Sequence, residues 1–380
     1  MGFRDLKARG FRAYDSLEVE FGPGVNVLYG PNASGKTSLL EALSVLATGR
    51  SFRRAADSEM VRNGHHGYRL AASVMGRLGP RSLEASYALG QGETGGTKRL
   101  TVDGHPLARS IDLLGVVPVL AFSPDDLALV KGPPAERRRF LDFLLAQTSP
   151  SYRDALTAYN RALAQRNALL TEIAARRLTP DSAGGVLESW DETLASRGET
   201  LAAWREQAVA EISPAAARAF GDIDGGSLSI RYEPSPFDPS LRMHEVRRGT
   251  TLSGPHRDEL GLAVDGRDAR RFASQGQQRS AVLALKLAAA ELLAQATDEQ
   301  PVLLLDDVLS ELDPRRAAAL VPLLFRGQAF VTTTDRAALE RALDTAGAGL
   351  LVESWLEVIG GRVTPTTSAG PEPPRGGAAP

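Results

Sequence analysis

The chain has 380 residues, of which 43% are hydrophobic, and carries a net charge of −2 at neutral pH. It is long enough for one large or two modest domains, and its charge excludes a polycation, so nucleic-acid binding would need a local basic patch. The absence of cysteine excludes disulfides and thiolate metal sites. Residues 1–7 contain no apolar signal core, and the most apolar segment, 281–296, is interrupted by charges. We therefore expect a cytoplasmic protein that does not bind membranes.

The first informative element is an apolar strand, Val25–Tyr29, followed by a glycine-rich segment and then a helical pattern. The segment fits the pattern G-x-x-x-x-G-K-[ST], and in this context it predicts a loop whose backbone N–H groups wrap a triphosphate. Lys36 is expected to contact the β- and γ-phosphates, and the Thr37 hydroxyl to bind Mg²⁺. The predicted nucleotide-binding residues of this loop are Gly30, Pro31, Asn32, Ala33, Ser34, Gly35, Lys36 and Thr37.

Two near-heptad apolar patterns occupy the middle of the chain, at residues 151–177 and 186–212. The segment 178–185 between them has the composition of a turn. The pattern predicts a helix hairpin about 40 Å long, at a rise of about 1.5 Å per residue. Because the hairpin follows the phosphate loop by more than a hundred residues, we expect a helical lobe inserted into the nucleotide-binding domain.

A Ser-x-Gly-Gln pattern at Ser274–Gln277 precedes a long helical run. Serine is a common helix N-cap, so this pattern alone has an ordinary structural explanation. It also resembles the signature motif of ABC-type ATPases, in which the serine and the helix N-terminus face a γ-phosphate held by a second subunit. That resemblance implies that Ser274 and Gly276 complete the nucleotide site of a partner subunit.

The apolar run Val302–Leu305 ends in Asp306 and Asp307, as expected for a buried parallel strand with ligands at its carboxyl end. We predict that Asp306 binds Mg²⁺ and that Asp307 positions or deprotonates the attacking water. The segment Leu309–Asp313 then resembles the D-loop of ABC-type ATPases. Phe330–Asp335 resembles their last core strand and switch segment.

These motifs in this order identify an ABC-type P-loop ATPase head, an α/β fold with a mixed sheet and flanking helices. Three further blocks narrow the resemblance, namely Gly49–Arg53, Ser123–Leu127 and Leu252–Asp258, together with the Gln-Gly-Gln-Gln-Arg form of the signature. Over roughly residues 3–340 the chain resembles the bacterial RecF family of DNA replication and repair proteins.

This resemblance implies an ATP- and Mg²⁺-dependent homodimer that binds duplex, gapped or junction DNA. Its implied partners are RecR and, through RecR, RecO and RecA. Lys36 and Asp307 would be the catalytic residues of a weak ATPase, since Asp307 is shorter than the usual glutamate and the switch histidine is missing. For the cluster Arg137, Arg138 and Arg139, DNA contact is one possibility, although such clusters more often form a solvated helix face.

The expected architecture places the ATPase head in residues 1–120 and 246–365, with the helical lobe in residues 121–245. Residues 366–380 have the composition of a disordered tail. Antiparallel strands at 17–21 and around 70–102 are expected to flank the nucleotide. His256 and Arg257 have three open roles, in contacting nucleotide, DNA or a neighbouring loop.

Other classes of protein share part of this pattern. The nucleotide-binding subunit of an ABC transporter usually has its phosphate loop and signature much closer together. A Rad50- or SMC-type structural ATPase has arms much longer than the hairpin predicted here. A metabolic P-loop kinase would have no use for Ser274 or the D-loop.

Overall fold

The computed structural model describes residues 1–77, 79–90, 95–175, 180–308, 314–324, 326–345 and 352–366. The strands are β1 (Gly2–Phe3), β2 (Asp5–Phe11), β3 (Tyr14–Glu20), β4 (Val25–Tyr29), β5 (Gly67–Gly76), β6 (Gly79–Ala88), β7 (Thr97–Val102), β8 (His105–Pro106), β9 (Val119–Phe122), β10 (Leu228–Glu233), β11 (Glu259–Val264), β12 (Arg267–Asp268), β13 (Val302–Leu305), β14 (Ala329–Thr333), β15 (Val352–Ile359) and β16 (Arg362–Thr366). The α-helices are α1 (Lys36–Thr48), α2 (Asp57–Met60), α3 (Ala128–Lys131), α4 (Pro134–Thr148), α5 (Pro150–Ala174), α6 (Pro180–Asp224), α7 (Arg242–Arg248), α8 (Ala269–Phe272), α9 (Gln275–Thr297), α10 (Pro314–Leu324) and α11 (Arg336–Thr345).

These elements form two compact units that alternate along the chain. The first unit consists of Met1–Leu107, Val119–Ser123 and Pro301–Pro380, and the second of Ala108–Pro118 and Pro124–Gln300. Each unit is therefore assembled from segments that are distant in sequence.

The first unit contains two sheets. One is antiparallel, in the order β3-β2-β5-β6-β7-β8, with β1 paired to β5. The other has the order β16-β15-β4-β14-β13-β9, in which β15 to β9 pair in parallel and only the edge strand β16 is antiparallel to its neighbour β15. Strands β4, β14 and β13 are parallel neighbours, so their carboxyl ends lie at the same edge of the sheet. The loop after β4 and the carboxylates after β13 therefore lie at that edge, with only β14 between their strands.

Helix α1 lies between the two sheets and contacts strands of both. Its sequence is apolar on nearly every side, so almost the whole helix is buried, as expected for a central helix. The buried Gln328 side chain also joins the sheets, because it donates to Phe3 O and Gly22 O and accepts from Phe3 N at 2.6 Å. The phosphate loop therefore begins from a rigid core.

The second unit is built around the pair α5 and α6. Side chains pair along the two helices in opposite directions, with Arg166 on α5 bonded to Asp191 on α6 at 2.6 Å and Tyr152 bonded to Arg205. Helices α4, α7 and α9 pack on this pair, and β10 of the small sheet β10-β11-β12 covers α6. The predicted antiparallel helix hairpin is present.

The hairpin differs from its prediction in one respect. Residues 180–185, interpreted as a turn, are the first residues of α6, which continues past Pro214 to Asp224. Pro180 stands at the helix start, where its missing N–H is harmless and its fixed φ favours a helix. Turn composition was therefore misleading here.

The predicted domain boundaries do not coincide with the two units. The boundary at residue 245 falls inside the second unit, because β11 pairs with β10 and α9 packs on α6. The segment that contains the signature motif therefore belongs with the helices, whereas the acidic strand β13 belongs with the phosphate loop. Residues 367–380 of the predicted tail lie outside the described residues.

Candidate nucleotide site

The phosphate loop has an unusual backbone between β4 and α1. Gly30, Ala33 and Gly35 have φ angles of 150°, 60° and 119°, a region that side chains other than glycine rarely adopt. A Cβ atom at Gly30 would lie 2.2 Å from Val358 O, so only glycine fits there. The loop therefore has the tight curvature that the sequence predicts for a triphosphate cradle.

Two polar side chains of this loop, those of Ser34 and Lys36, could form further hydrogen bonds to a phosphate. Ser34 Oγ is buried and has no hydrogen-bond partner among the described residues, which is costly for a hydroxyl. Lys36 Nζ donates to Gly30 O at 2.7 Å and to Pro31 O at 2.8 Å. Burial lowers the pKa of Lys36, and the two carboxylates after β13 oppose this shift. A phosphate group would satisfy both side chains.

Asp306 lies at the end of β13 and contacts the phosphate loop directly. Its Oδ1 accepts a hydrogen bond from Thr37 Oγ1 at 2.7 Å and another from Thr332 Oγ1 at 3.1 Å. Burial raises the pKa of Asp306, and the hydrogen bonds from both threonines and the charge of Arg53 oppose this rise. The structure thus brings together the two predicted metal ligands.

Magnesium fits this donor set. The Thr37 hydroxyl and the Asp306 carboxylate are hard oxygen donors, and Mg²⁺ is commonly bound by one or two such groups with phosphate oxygens and water. A dication would also relieve the cost of keeping a buried carboxylate charged. Within the described residues no cluster of three or more His, Asp or Glu suits a metal ion, and an ATP-dependent site does not require one.

Asp307 follows in a left-handed conformation, with φ 53°, which turns the chain sharply after β13. Its N–H donates to Thr332 Oγ1 at 2.8 Å, so one buried hydroxyl bonds to both aspartates. Sequence reasoning did not single out Thr332. The sequence feature that could have indicated its role is a polar residue within the apolar strand β14, all of whose residues are buried.

A second network behind the loop was also not predicted. Glu41 on α1 is completely buried, and Arg12 binds both of its carboxylate oxygens at 2.7 and 2.8 Å. Ser51 Oγ donates to the same carboxylate at 2.5 Å. This network fixes the loop that follows α1, and that loop carries Arg53, whose charge acts on Asp306. A glutamate within an otherwise apolar helix was the signal in the sequence.

The signature segment lies in the second unit, where Ser274 caps α9. Ser274 Oγ accepts from Gln277 N at 3.1 Å, and Gln277 Oε1 accepts from Ser274 N at 3.0 Å, which is a complete capping box. Ser274 is exposed, and Gly276 stands in the first helical turn beside it. The cap thus orients an accessible helix N-terminus, as an ATP-facing signature requires.

The arginine cluster on α4, for which DNA contact is one possibility, is partly engaged in contacts inside the protein. Arg137 is buried and binds both oxygens of Glu259, at 2.8 and 3.0 Å. Arg138 is half-buried and donates to Asp258 O, and the exposed Arg139 bonds to Glu136 at 3.1 Å. The guanidinium of Arg137 is therefore occupied by an internal ion pair, and DNA contact by the less buried residues of this cluster, Arg138 and Arg139, stays a prediction.

The segments after β13 and β14 give a mixed outcome. The D-loop residues 309–313 lie outside the described residues. In the predicted switch segment, Asp335 accepts from Ala338 N at 2.9 Å and so caps α11, and Thr333 Oγ1 bonds to Asp335. The predicted switch segment therefore forms the cap of α11.

The loop after β9 is anchored to the signature helix. Asp126 forms an ion pair with Lys286, which is buried in α9. Burial lowers the pKa of Lys286, and Asp126 opposes this shift. This ion pair therefore fixes the segment after β9 to the helix that begins at the signature.

His256 and Arg257 lie in a tightly held loop. Tyr159 OH lies 2.7 Å from His256 Nδ1, and Arg257 Nη2 donates to Thr251 O at 3.0 Å. His256 Nε2 also faces Thr251 O at 3.3 Å, which fixes the proton on Nε2 and makes Nδ1 the acceptor. Of the three open roles, contact with a neighbouring loop is observed for both residues.

We expect the stability of the protein to fall as the pH decreases from about 6.5 toward 4. Burial lowers the pKa of His256 to about 4, and the charges of Arg257 and Arg138 add to this shift. Because the unfolded chain takes up this proton at a higher pH, acid favours unfolding, by about 2 kcal/mol near pH 5. Urea unfolding at about pH 7.5 and about pH 5 measures the effect.

The matched variant is His256→Asn, whose amide oxygen still accepts from Tyr159. It should lose less stability than the wild type between the two pH values. Equal losses in both proteins would show that His256 does not carry this pH dependence.

One helix among the described residues, Gln275–Thr297, is long and apolar enough to cross a membrane by length and composition alone. Its most apolar window is 61% buried inside the protein, as is usual for a core helix. The helix is α9, and its apolar sides pack on α4 and α6.

Residues 3–351 match the family model described as "RecF/RecN/SMC N terminal domain". Among curated relatives, the "DNA replication and repair protein RecF" of Symbiobacterium thermophilum is 44% identical over 351 residues, covering 87% of this chain and 90% of the relative. The protein of that name from Chloroflexus aurantiacus is 42% identical over 364 residues, covering 87% and 92%.

Solved structures give the same result. The structure described as "recombination mediator protein RecF-ATP in RecFOR pathway" superposes with a TM-score of 0.85 at 30% identity, covering 96% of this chain and 98% of that one. The Smc head domain of Pyrococcus furiosus has a TM-score of 0.56 at 15% identity, which shows a shared fold only. The predicted ABC-type fold is confirmed, and the chain belongs to the RecF family.

Proposed function

We propose that this protein is an ATP-dependent DNA-binding protein of recombinational repair and replication, which dimerises when it binds ATP. The observation that carries the nucleotide part is the 2.7 Å contact between Thr37 Oγ1 and Asp306 Oδ1, beside the Ser34 hydroxyl, which has no hydrogen-bond partner in the part of the chain that the structure describes. These groups have the chemistry that Mg²⁺ and a phosphate need. Membership of the RecF family supports the DNA part.

ATP acts as the bridging ligand in this proposal. One subunit holds the triphosphate in its phosphate loop, and Ser274 and Gly276 of the other subunit complete the site. A ligand drives assembly only if it binds the assembled state better, and the contacts from the second subunit provide that difference. The exposed, capped start of α9 supports this role.

Hydrolysis is proposed to be slow and to reset the dimer. The proposed catalytic residues are Asp307, which positions the attacking water, and Lys36, which contacts the phosphates. Asp307 is one methylene shorter than the glutamate of typical ABC-type ATPases. The switch segment offers only Thr333, Thr334 and Asp335, and Asp335 already caps a helix. Displacement of the attacking water by about 1 Å can cost ~10²-fold in rate. The protein is therefore a switch more than a motor.

The proposed partners are DNA in duplex, gapped or junction form, RecR, and through RecR the proteins RecO and RecA. The solved relative is described as a recombination mediator in the RecFOR pathway, which supports this choice. Loading of RecA onto gapped DNA in the cytoplasm would be the outcome. With a net charge of −2, DNA affinity must come from arginines brought together in the dimer.

Sedimentation with and without ATP and a gapped duplex tests the proposal. We expect a monomer without ATP, a dimer with ATP, and DNA affinity that rises with ATP and falls steeply with salt. Ser274→Arg should bind ATP as a monomer but not dimerise, since the bulky cation displaces the hydroxyl at the γ-phosphate of the other subunit. Ser196→Arg, at an exposed position of α6, is the matched control and should dimerise normally.

Two outcomes would overturn the proposal. Dimerisation of Ser274→Arg at wild-type ATP concentrations would refute the signature contact between subunits. DNA affinity that is independent of ATP and insensitive to salt would instead favour a transporter subunit or a Rad50- or SMC-type structural ATPase.

A further inference from the structure

Two exposed apolar side chains stand beside the two halves of the proposed ATP site. Among the described residues, the large hydrophobic side chains that are exposed are Met75, Leu89, Val186, Met243, Phe272 and Ile359. Single exposed hydrophobic residues are normal and need no explanation by themselves. Two of these residues differ from the others in their position. Phe272 lies next to the signature, and Ile359 lies next to the phosphate loop.

Ile359 is held at the phosphate loop by a tight hairpin. Gly360 and Gly361, with φ angles of 56° and 77°, form the two-residue turn between β15 and β16. Gly361 N donates to Ser34 O at 3.1 Å, and a Cβ at Gly361 would lie 2.6 Å from Ala13 O. The hairpin tip is thus fixed against the loop, and it leaves Ile359 55% exposed.

Phe272 is held at the signature by a comparable set of contacts. It is the last residue of α8, whose start is capped by Asp268 through Arg271 N at 2.9 Å. Gln278, in the first turn of α9, donates to Ala269 O at 3.1 Å and ties α8 to the signature helix. In this rigid setting the Phe272 ring remains 64% exposed.

We infer that Phe272 of one subunit packs against Ile359 of a second copy of this chain when ATP joins the two. The inference rests on the proposed function, in which the signature of one subunit covers the phosphate loop of the other. That arrangement carries Phe272 toward the hairpin that holds Ile359. Two-fold symmetry forms the contact twice, so four apolar side chains leave water on dimerisation.

The surroundings of Phe272 have the composition of a protein interface. Arg270 and Arg271, which immediately precede Phe272 in α8, are both exposed. Apolar anchors surrounded by polar and arginine side chains are typical of protein–protein contacts, and aromatic anchors contribute most to affinity. In the proposed ATP-bridged dimer the surface that covers Phe272 belongs to a second copy of this chain, and the contact adds affinity that does not touch the nucleotide.

The first test compares two serine substitutions at equally exposed positions of the second unit. Phe272→Ser should weaken ATP-dependent dimerisation by about tenfold or more, with unchanged ATP affinity of the monomer. Met243→Ser, at a residue that is 66% exposed on α7, is the matched control and should dimerise as the wild type does. Sedimentation equilibrium with a slowly hydrolysed ATP analogue measures both.

The second test uses the absence of native cysteine, which leaves no background for crosslinking. The double variant Phe272→Cys, Ile359→Cys should give a covalent dimer with a short bismaleimide when the ATP analogue is present. The pair Met243→Cys, Ile359→Cys should still dimerise with the ATP analogue but should give no covalent dimer under the same conditions. Crosslinking in the control pair alone, or no crosslinking in the first pair, would overturn the contact.

The two proposals can fail independently. If Ser274→Arg fails to dimerise while Phe272→Ser dimerises with wild-type affinity, the apolar contact is wrong and the ATP-bridged dimer stands. If Ser274→Arg dimerises normally, the proposed function itself is wrong. Weak dimerisation of Phe272→Ser, with a normal Met243→Ser control, supports the contact.

Discussion

Replacement of Lys36 by arginine is expected to lower ATP hydrolysis by more than about 100-fold and to weaken ATP-dependent dimerisation. Lys36 Nζ is a compact ammonium inside the loop, where it lies 2.7 Å from Gly30 O and 2.8 Å from Pro31 O. A planar guanidinium keeps the charge but is too wide for this space, so it would displace the phosphates. Steady-state phosphate release and ATP affinity measure the two effects.

Lys98→Arg is the matched control for this prediction. Lys98 is also held in the first unit, by Gly49 O at 2.7 Å and by Asp57, but it does not contact the phosphate loop. This variant should hydrolyse ATP at nearly the wild-type rate. Wild-type turnover in Lys36→Arg would contradict the assignment of the phosphate loop.

The sequence predicted the parts of the site that depend on local pattern. The phosphate loop, the acidic strand and the capped signature helix each combine a few neighbouring residues with a regular element, so spacing alone locates them. The contact between Thr37 and Asp306 also followed, because parallel strands place their carboxyl ends at one edge of a sheet.

The contacts that the sequence did not predict depend on packing between segments that are distant in the chain, and a local sequence pattern gives no information about such packing. Arg137 looked like an available cation, but its partner Glu259 is 122 positions away in the chain. Thr332 bonds to both aspartates because β14 lies beside β13, a strand order that the sequence does not state. The predicted turn at 178–185 rests on composition, which does not show that Pro180 begins the long helix α6.

Substitution of the two aspartates should separate binding from hydrolysis. Asp306→Asn should weaken Mg²⁺-dependent ATP binding, since it removes an anionic oxygen from the metal site. Asp307→Asn should leave binding intact, reduce hydrolysis by about 100-fold and accumulate the ATP-bound dimer, since only the positioning of water suffers. Asparagine tolerates the left-handed backbone, so the φ of 53° at residue 307 is preserved.

ATP affinity with and without Mg²⁺, phosphate release and sedimentation distinguish the two variants. Asp265→Asn is the matched control, because Asp265 also has a left-handed backbone, with φ 50°, but lies in the second unit and accepts from Ser227 N. It should leave all three measurements unchanged. Equal losses of ATP affinity in Asp306→Asn and Asp307→Asn would contradict separate roles. In that case the hydroxyl of Thr332, which bonds to both residues, would make them one unit, and Thr332→Val should then reproduce the loss.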